Sequence, residues 1–241
     1  GAPMLAGRAA LRTGAGRVYL GMLENPLVDH GQPELMLRAP AEAMNAATVL
    51  AIGPGLGQSL QAGELLGQAL SYNLPLVLDA DSLNLLTQSP LLLRKATVRP
   101  APTFITPHPA EAARLLACST DEVQSDRLAA ALELARRLRV YVALKGCGTI
   151  VVAPDARWFI NTTGNPGLAT AGSGDVLTGI LAALLAQGWP PLEALLGAVH
   201  LHGAAADACV AEGLGPVGLT AGELIDPARQ ILNDWITPFG G

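Results

Sequence analysis

The sequence predicts an α/β domain with a mostly parallel central sheet and helices on both faces. Short runs rich in aliphatic and β-branched residues alternate with longer helical stretches, which is typical of βα units. These runs are continuous rather than alternating in polarity, as expected for strands buried on both faces. No linker or repeat divides the 241 residues, so we expect a single domain over 1–241.

Six strands are predicted: TVLAIG (48–53), PLVLDAD (75–81), TFITP (103–107), VYVALKG (140–146), TIVVAP (149–154) and RWFIN (157–161). Helices are predicted at 59–72, 82–94, 109–117, 121–139, 175–187 and 191–212. The segment TIVVAPDARWFI interrupts the alternation, because PDA between two apolar runs predicts a hairpin. A last amphipathic helix is predicted over 218–232, with Thr220 and Glu223 as its capping box.

Composition excludes several classes of protein. Hydrophobic residues make up 50% of the chain, charged residues 15%, and the net charge is -5. This balance argues against nucleic acid or an acidic membrane as the main partner, but it allows a local cationic pocket for a phosphorylated ligand. The apolar runs are interrupted before they could span a bilayer, and no signal peptide is visible. Three cysteines without a CxxC pair argue against disulfides or a zinc site, so we expect a cytoplasmic protein.

Ligands of open α/β sheets bind beyond the carboxyl ends of the strands, and the conspicuous motifs of this chain follow its strands. In GPGLG, Gly53, Gly55 and Gly57 either allow a ligand to approach the main chain or form an ordinary turn. In VLDADSLNLL, Asp79 is a candidate for catalysis or ligand ordering, and the alternative is simple helix capping by Asp81 or Ser82.

Two further motifs suggest a phosphorylated ligand. In TPHPAE, prolines bracket His108 and Glu111 falls in the first helical turn. Glu111 either complements the helix dipole or holds a magnesium ion through water, while His108 is a rigid loop residue or a ligand contact. In LKGCGT, Lys145 is one of only two lysines, which hints at a compact ammonium beside a phosphate, although an incidental lysine in a hairpin turn remains the alternative.

The segment GNPGLATAGSGD leads directly into an apolar helix. Gly172 and Gly174 place successive amides before the first unsatisfied N–H groups of that helix, which together form an anion hole for phosphate. Asp175 is then best explained as the base for a hydroxyl that attacks the phosphate, and its alternative role is an N-cap. His200 and His202 are two residues apart in an apolar helix, so they face different sides and are assigned to core packing.

The ordered set GPGLG, LDADSLNLL, TPHPAE, LKGCGT, GNPGLATAGSGD and LHG resembles the ADP/ATP-dependent NAD(P)H-hydrate dehydratases of the ribokinase-like superfamily. The resemblance runs from residue 1 to about 232. It implies a ribokinase-like fold and a carbon–oxygen lyase that repairs a damaged metabolite. In this family the C6 hydroxyl of hydrated NADH or NADPH receives a phosphoryl group from ADP or ATP, and phosphate then leaves.

The resemblance also implies roles for individual residues. Asp175 would be the catalytic base and would touch the substrate, and Glu111 would be associated with Mg²⁺. The substrate would also contact Ala2, Gly55 and His108. The nucleotide would contact Lys145, Gly146, Cys147, Gly148, Thr149, Gly172, Ser173 and Gly174.

Three departures from the family pattern are visible. Ala110 replaces a usual glycine, Ser173 replaces a common threonine, and the strand and glycine turn that usually precede GAP are missing. We therefore expect the domain to lack the family's first strand, and a fragment fused to or paired with an epimerase is one interpretation. A homo-oligomer, a tetramer as is common in the family, is also expected. The alternatives are a vitamin-alcohol kinase of the same superfamily and a nucleotide-binding subunit without turnover, and His108 with GPGLG fits the dehydratase better.

Overall fold

The computed structural model describes residues 1–23 and 29–236. In chain order its elements are α1 (Ala2–Arg12), β1 (Tyr19–Gly21), β2 (Met36–Arg38), α2 (Pro40–Ala46), β3 (Leu50–Ile52), α3 (Leu60–Ala69), β4 (Leu76–Leu78), α4 (Asp81–Gln88), α5 (Pro90–Thr97), β5 (Thr103–Ile105), α6 (Pro109–Leu116), α7 (Thr120–Ser125), α8 (Arg127–Leu138), β6 (Tyr141–Leu144), β7 (Ile150–Val152), β8 (Trp158–Ile160), α9 (Ser173–Ala186), α10 (Pro191–Ala211) and α11 (Ile225–Ile236).

All six predicted strands form one sheet in the order β3-β4-β5-β6-β7-β8. Strands β3 to β6 are parallel, and β7 is antiparallel to both β6 and β8. The predicted hairpin is confirmed, with Val152 opposite Trp158. Every residue of β4, β5 and β7 is buried, which explains why these strands are continuously apolar.

Helices cover both faces of the sheet, as predicted. Along β4, Val77 packs into an apolar cluster with α1, α9, α10 and α11, whereas Leu76 and Leu78 pack into a second cluster with α2 to α8. Successive side chains of a strand point to opposite faces, so the two clusters lie on the two sides of the sheet. This three-layer arrangement leaves the loops at the strand ends free to build a site.

Two predicted helices are each two helices in the structure. The stretch 82–94 breaks at Ser89, whose hydroxyl accepts from the Leu92 amide, and Pro90 starts α5 because it has no amide hydrogen to donate to the preceding turn. The stretch 121–139 breaks at Asp126, whose carboxylate accepts from the amide of Ala129 at 2.9 Å and caps α8.

The N-terminal part of the chain contains elements that the sequence did not predict. Helix α1 packs tightly on α9, so that a Cβ atom at Gly179 would lie 2.1 Å from the Ala6 carbonyl oxygen. Strands β1 and β2 form a separate parallel pair, with Leu20 opposite Leu37. Short strands and a helix made mainly of small residues carry a weak periodic pattern, which explains why they were missed.

Helix α10 agrees with the prediction in position, whereas the closing helix predicted over 218–232 begins later, with α11 over Ile225–Ile236. Helix α10 is long and apolar enough to cross a membrane by length and composition alone, but more than half of its most apolar window is buried inside this fold. The capping box at Thr220 is confirmed, with the Thr220 amide 2.7 Å from the Glu223 carboxylate. It starts a 3₁₀ turn over Ala221–Leu224, and α11 follows at Ile225.

Candidate active site

The loops that follow the parallel strands meet at one edge of the sheet. The Asp79 amide donates to the Ile52 carbonyl at 3.2 Å, and the Lys145 amide donates to the Pro107 carbonyl at 2.9 Å. These backbone bonds place the GPGLG motif beside LDAD, and TPHPAE beside LKGCGT. The sequence motifs are therefore neighbours in space, as expected for strand-end loops of a parallel sheet.

Asp79 and Lys145 form an ion pair at this edge. Lys145 Nζ lies 3.0 Å from Asp79 Oδ1, and the Thr178 hydroxyl donates to Asp79 Oδ2 at 2.9 Å. The Asp79 side chain is only 2% exposed and that of Lys145 is 23% exposed. Both carboxylate oxygens of Asp79 thus have a partner, which a buried charge requires.

The main chain around Asp79 is strained. Ala80 has φ +51°, in the left-handed region that non-glycine residues seldom adopt. It separates Asp79, which faces Lys145, from Asp81, which accepts from the Gly57 amide at 2.8 Å. A Cβ atom at Gly53 would lie 1.7 Å from the Asp79 carbonyl oxygen, so only glycine fits there. Gly53 serves the close approach of two strand-end loops.

The glycine-rich segment before α9 ends in an uncapped helix N-terminus. Gly172, at φ +89°, is the N-cap residue, and no side chain caps α9, although the Ser173 amide donates to the Thr170 carbonyl at 3.3 Å. The N-cap interpretation of Asp175 is therefore wrong, because Asp175 lies within the first turn. A Cβ atom at Gly174 would lie 3.0 Å from Lys145 Nζ. The amides of Gly174 and Asp175, an ammonium group and a carboxylate thus converge at the start of α9.

The Asp175 carboxyl has no hydrogen-bond partner within residues 1–23 and 29–236. Burial raises the pKa of Asp175 to about 6, and the negative charge of Asp79 adds to this effect, whereas Lys145 opposes it. A carboxylate with a pKa near neutrality can accept a proton and release it again. This environment suits a general base.

One contact at the start of α9 was not predicted from the sequence. The Ser173 hydroxyl lies 3.1 Å from Nε2 of His202, a residue assigned to core packing. The His202 ring is indeed buried, and burial lowers its pKa to about 4, so it is neutral at neutral pH. The motif LHG was the only signal for this role, since spacing alone does not tell which side of α10 faces α9.

The same segment is fastened to α10 at its other end. The Gly164 amide and the Asn165 side-chain amide donate to the two carboxylate oxygens of Asp207, at 2.8 and 2.9 Å. The Thr163 hydroxyl donates to the His200 carbonyl at 3.0 Å, and a Cβ atom at Gly203 would lie 2.3 Å from that hydroxyl. The glycine-rich segment is thus held in place over much of its length.

The turn of LKGCGT is held from outside by Arg127. Its guanidinium donates to the carbonyl oxygens of Leu144, Lys145 and Cys147 at 3.1, 3.3 and 2.6 Å. The Thr149 hydroxyl closes the turn on the Gly146 carbonyl at 3.2 Å. Gly146 and Cys147 are exposed and Gly148 is half-buried, so this turn offers main chain to a ligand.

His108 and Glu111 form a capping box at the start of α6. The His108 amide donates to Glu111 Oε2 at 2.8 Å, and His108 Nδ1 accepts from the Glu111 amide at 3.4 Å. Partial burial lowers the pKa of His108, Glu111 raises it, and the nearby Lys145 lowers it further. Glu111 is buried and committed to the cap, which confirms its interaction with the helix terminus.

Ala2 and Gly55 lie side by side. A Cβ atom at Gly55 would lie 3.5 Å from the Ala2 Cβ and 2.9 Å from Pro3 Cδ. The start of α1 also reaches the glycine segment, since a Cβ at Gly172 would lie 2.5 Å from Leu5 Cδ1. The structure therefore brings Ala2 and Gly55 together near the anion hole, although the sequence separates them widely.

The fold and this site define the class of protein. The domain is ribokinase-like, with the N-terminus of α9, an ammonium group and a carboxylate together at the carboxyl edge of the sheet. A ribokinase-like superfamily protein from Enterococcus faecalis superposes with a TM-score of 0.79 at 27% identity, covering 99% of this chain and 82% of that one.

The chain belongs to the NAD(P)H-hydrate dehydratase family, whose sequence profile matches residues 1–227. It is 43% identical to the ADP-dependent (S)-NAD(P)H-hydrate dehydratase of Neisseria meningitidis, over 97% of this chain and 81% of that protein. The ADP/ATP-dependent NAD(P)H-hydrate dehydratase of Bacillus subtilis, crystallised with ATP and Mg²⁺, superposes with a TM-score of 0.85 at 33% identity, covering 97% and 87% of the two chains. The chain spans about half the length of the bifunctional NAD(P)H-hydrate repair enzymes that it also matches, 48% and 46% in two of them.

Proposed function

We propose that this chain is an ADP-dependent (S)-NAD(P)H-hydrate dehydratase that can also accept ATP in place of ADP. It restores NADH and NADPH from the S form of their C6-hydrated derivatives. The single observation that carries the proposal is the convergence of Asp175, the anion hole and Lys145. Family membership supports it, and so do two ADP-dependent (S)-NAD(P)H-hydrate dehydratases, of which this chain covers 81% and 75%.

Asp175 acts first in the proposed reaction. Its carboxylate takes the proton of the C6 hydroxyl as that oxygen attacks the terminal phosphorus of the nucleotide. A new C6–O–P linkage forms and the anhydride bond to the leaving AMP or ADP breaks. Because the pKa of Asp175 is raised to about 6, the carboxylate is ionised at neutral pH yet basic enough to hold the proton.

Gly172, Ser173, Gly174 and Lys145 stabilise the phosphoryl group during transfer. The amides before α9 and the ammonium group supply positive potential without reorganising, which is the main contribution a protein makes to phosphoryl transfer. The phosphate then leaves with the C6–O electron pair, and loss of a proton from the neighbouring ring carbon restores the double bond. Phosphorylation thus turns a poor leaving group, hydroxide, into a good one.

The remaining predicted residues are proposed contacts of the two ligands. Ala2 and Gly55 are small, so their adjacent main chains leave room for the hydrated nicotinamide ring. His108 is proposed to hydrogen-bond the substrate without adding charge, since its pKa is lowered. The turn from Lys145 to Thr149 is proposed to receive the nucleotide, because its main chain is accessible.

Magnesium is proposed to arrive with the nucleotide. The described residues contain no group of three or more His, Cys, Asp or Glu side chains that could hold a metal ion. One Glu111 oxygen already accepts from the His108 amide at 2.8 Å. The protein atoms therefore do not form a cage for the ion, and Glu111 could act on it only through water. When bound, Mg²⁺ would neutralise phosphate charge.

We also propose a cytoplasmic homotetramer that is fused to or works beside an epimerase, which would supply the S form. The bifunctional relatives support a linked second repair activity. Light scattering after gel filtration would test the tetramer, and a monomer would contradict it.

One assay tests the proposed reaction. The protein is incubated with hydrated NADPH, Mg²⁺ and either ADP or ATP, and recovery of reduced-nicotinamide absorbance is followed. We expect recovery with release of AMP from ADP. No recovery with either nucleotide would refute the proposal, phosphorylation of a hydroxymethylpyrimidine or thiazole alcohol would indicate a kinase, and nucleotide binding without turnover would indicate a regulatory subunit.

A further inference from the structure

Asp79 is a buried charged side chain that the proposed reaction leaves without a task. It has two partners. Lys145, in the loop after β6, lies at 3.0 Å, and Thr178, in the second turn of α9, lies at 2.9 Å. Its own main chain is fixed as well, because the amide donates to Ile52 and the carbonyl accepts from the Ser82 hydroxyl at 2.9 Å.

A purely structural ion pair is a poor explanation for Asp79. Burying two charges costs more than packing two apolar side chains of similar size in the same place. The residue after Asp79, Ala80, also has an unfavourable φ of +51° when Asp79 is in this orientation. These costs are concentrated at the edge of the sheet where the anion hole lies, which is where strain tends to serve function.

The position of Lys145 shows what the pair achieves. A Cβ atom at Gly174 would meet Lys145 Nζ at 3.0 Å and Asp79 Oδ2 at 3.5 Å, so the pair lies directly against the anion hole. A lysine side chain has four rotatable bonds and would otherwise sample many positions. Asp79 removes that freedom before the nucleotide arrives.

We propose that Asp79 is a positioning residue: it fixes the Lys145 ammonium against Gly174 and holds its own carboxylate close to Asp175. Its consequence for turnover rests on the function proposed above, whereas the positioning itself does not. Thr178 lies one turn after Asp175 on the same side of α9 and holds the second oxygen of Asp79. Helix α9 therefore carries both the proposed base, Asp175, and the residue that holds Asp79 in place, Thr178.

Four charged groups act on Asp175 from the elements packed around it. Asp79 and Asp81 raise its pKa, while Lys145 and the amino group of Gly1 lower it. Replacing Asp79 by asparagine removes one negative charge and leaves the charge of Lys145 uncompensated. Both changes favour the ionised form of Asp175, so its pKa must fall.

The test compares Asp79→Asn with Asp81→Asn, which removes the same charge two residues away without touching Lys145. ADP affinity is measured by calorimetry, and the Asp175 carboxyl is titrated by ¹³C NMR, with Asp175→Asn identifying its signal. In Asp79→Asn we expect ADP to bind about tenfold more weakly and the pKa of Asp175 to fall by about one unit. In Asp81→Asn the ADP affinity should stay at the wild-type value and the pKa should fall less.

Thr178→Val provides a second variant if Asp79→Asn does not fold. It keeps every charge but removes one hydrogen bond of Asp79, so ADP should bind several-fold more weakly while the titration of Asp175 changes little. The proposal is overturned if a folded Asp79→Asn protein matches Asp81→Asn in both measurements, or if Asp79→Asn is unfolded and Thr178→Val binds ADP normally. Neither measurement requires turnover, so an inactive wild-type protein would refute the proposed reaction without deciding this point.

Discussion

The imidazole Nε2 of His202 lies 3.1 Å from the hydroxyl of Ser173, and both side chains are buried. This contact joins the middle of α10 to the first turn of α9, where the free amides of the anion hole lie. The hole is therefore supported from behind by a hydrogen bond rather than by apolar packing alone. Such a bond fixes the rotation of the first turn of α9 as well as its distance from α10.

Replacing His202 should show how much this hydrogen bond contributes to stability and to ADP binding. His202→Leu leaves the buried Ser173 hydroxyl without its partner, which should cost about 1–3 kcal/mol in the free energy of unfolding and weaken ADP binding. His202→Gln can still reach the hydroxyl and should lose less of both. Urea denaturation and calorimetry measure the two effects. Equal losses in the two variants would show that ring packing, not the hydrogen bond, supports the hole.

His202 should also make stability depend on pH. Its pKa is about 4 in the folded protein against 6.5 for an ordinary histidine. The unfolded chain therefore binds the proton more tightly, and stability is lost as the pH falls from 6.5 towards 4, by ~3 kcal/mol if the full difference is realised.

Asp175 titrates in the same window with the opposite sign. Its folded pKa is raised, so it adds stability at low pH that is lost as the pH rises through about 6. The histidine effect is best measured in an Asp175→Asn background, where stability should fall steeply between pH 6.5 and 4. Adding His202→Gln should flatten that slope, and an unchanged slope would assign it to other groups.

Asp175→Asn should separate activity from stability. At pH 7.5 the wild-type carboxylate is ionised in a half-buried site, so the neutral amide should unfold at a higher temperature. Turnover should fall by at least two orders of magnitude, because the general base is gone, while ADP binding is retained. Calorimetric melting and the absorbance assay measure the two properties. A variant with near-normal turnover would remove Asp175 from its role as base.

The sequence predicted the fold well where packing is continuous. Buried strands such as β4 and β5 are almost entirely apolar, so their existence and their parallel direction followed from the pattern, whereas their order in the sheet was not predicted. The break at Asp126 inside a predicted helix was missed, because an acidic residue within a helical pattern is equally compatible with one continuous helix. Helix α1 was missed because small residues give little periodic signal.

The candidate site was predicted in its motifs but not in its supports. Glycines and an acid before a helix predicted the anion hole, since few other arrangements explain such a segment. The contacts of Arg127 with the LKGCGT turn and of His202 with Ser173 depend on which side of a helix faces the loop. Sequence spacing alone cannot define that relation between distant segments, and only the packed structure shows it.

Arg127 should control the shape of the LKGCGT turn. Its planar guanidinium reaches three carbonyl oxygens at once, and a lysine, which presents a single ammonium, cannot reproduce that geometry. Arg127→Lys should therefore cost about 1–3 kcal/mol in stability and raise the KM for ADP more than it lowers kcat. Arg136→Lys, on the exposed face of the same helix, is the matched control and should change neither constant. Unchanged KM in Arg127→Lys would show that the turn holds its shape alone.

Two glycines on α9 should respond to alanine in opposite ways. At Gly174 the new Cβ would lie 3.0 Å from the end of the Lys145 side chain, which would have to shift by a few tenths of an ångström while it keeps its ion pair with Asp79. At Gly179 it would lie 2.1 Å from the Ala6 carbonyl oxygen, so the whole of α1 would have to shift. Alanine favours a helix over glycine by about 1 kcal/mol, which offsets part of the cost at either position.

Gly174→Ala should accordingly keep the wild-type stability within about 1 kcal/mol but displace Lys145 and weaken ADP binding about tenfold or more. Gly179→Ala should lose about 1–3 kcal/mol of stability through overpacking, while the fraction that remains folded binds ADP normally. Denaturation and calorimetry on the two proteins measure both properties. If Gly174→Ala bound ADP as the wild type does, Lys145 would not contact the nucleotide from its observed position, and the anion hole would have to work through the α9 amides alone.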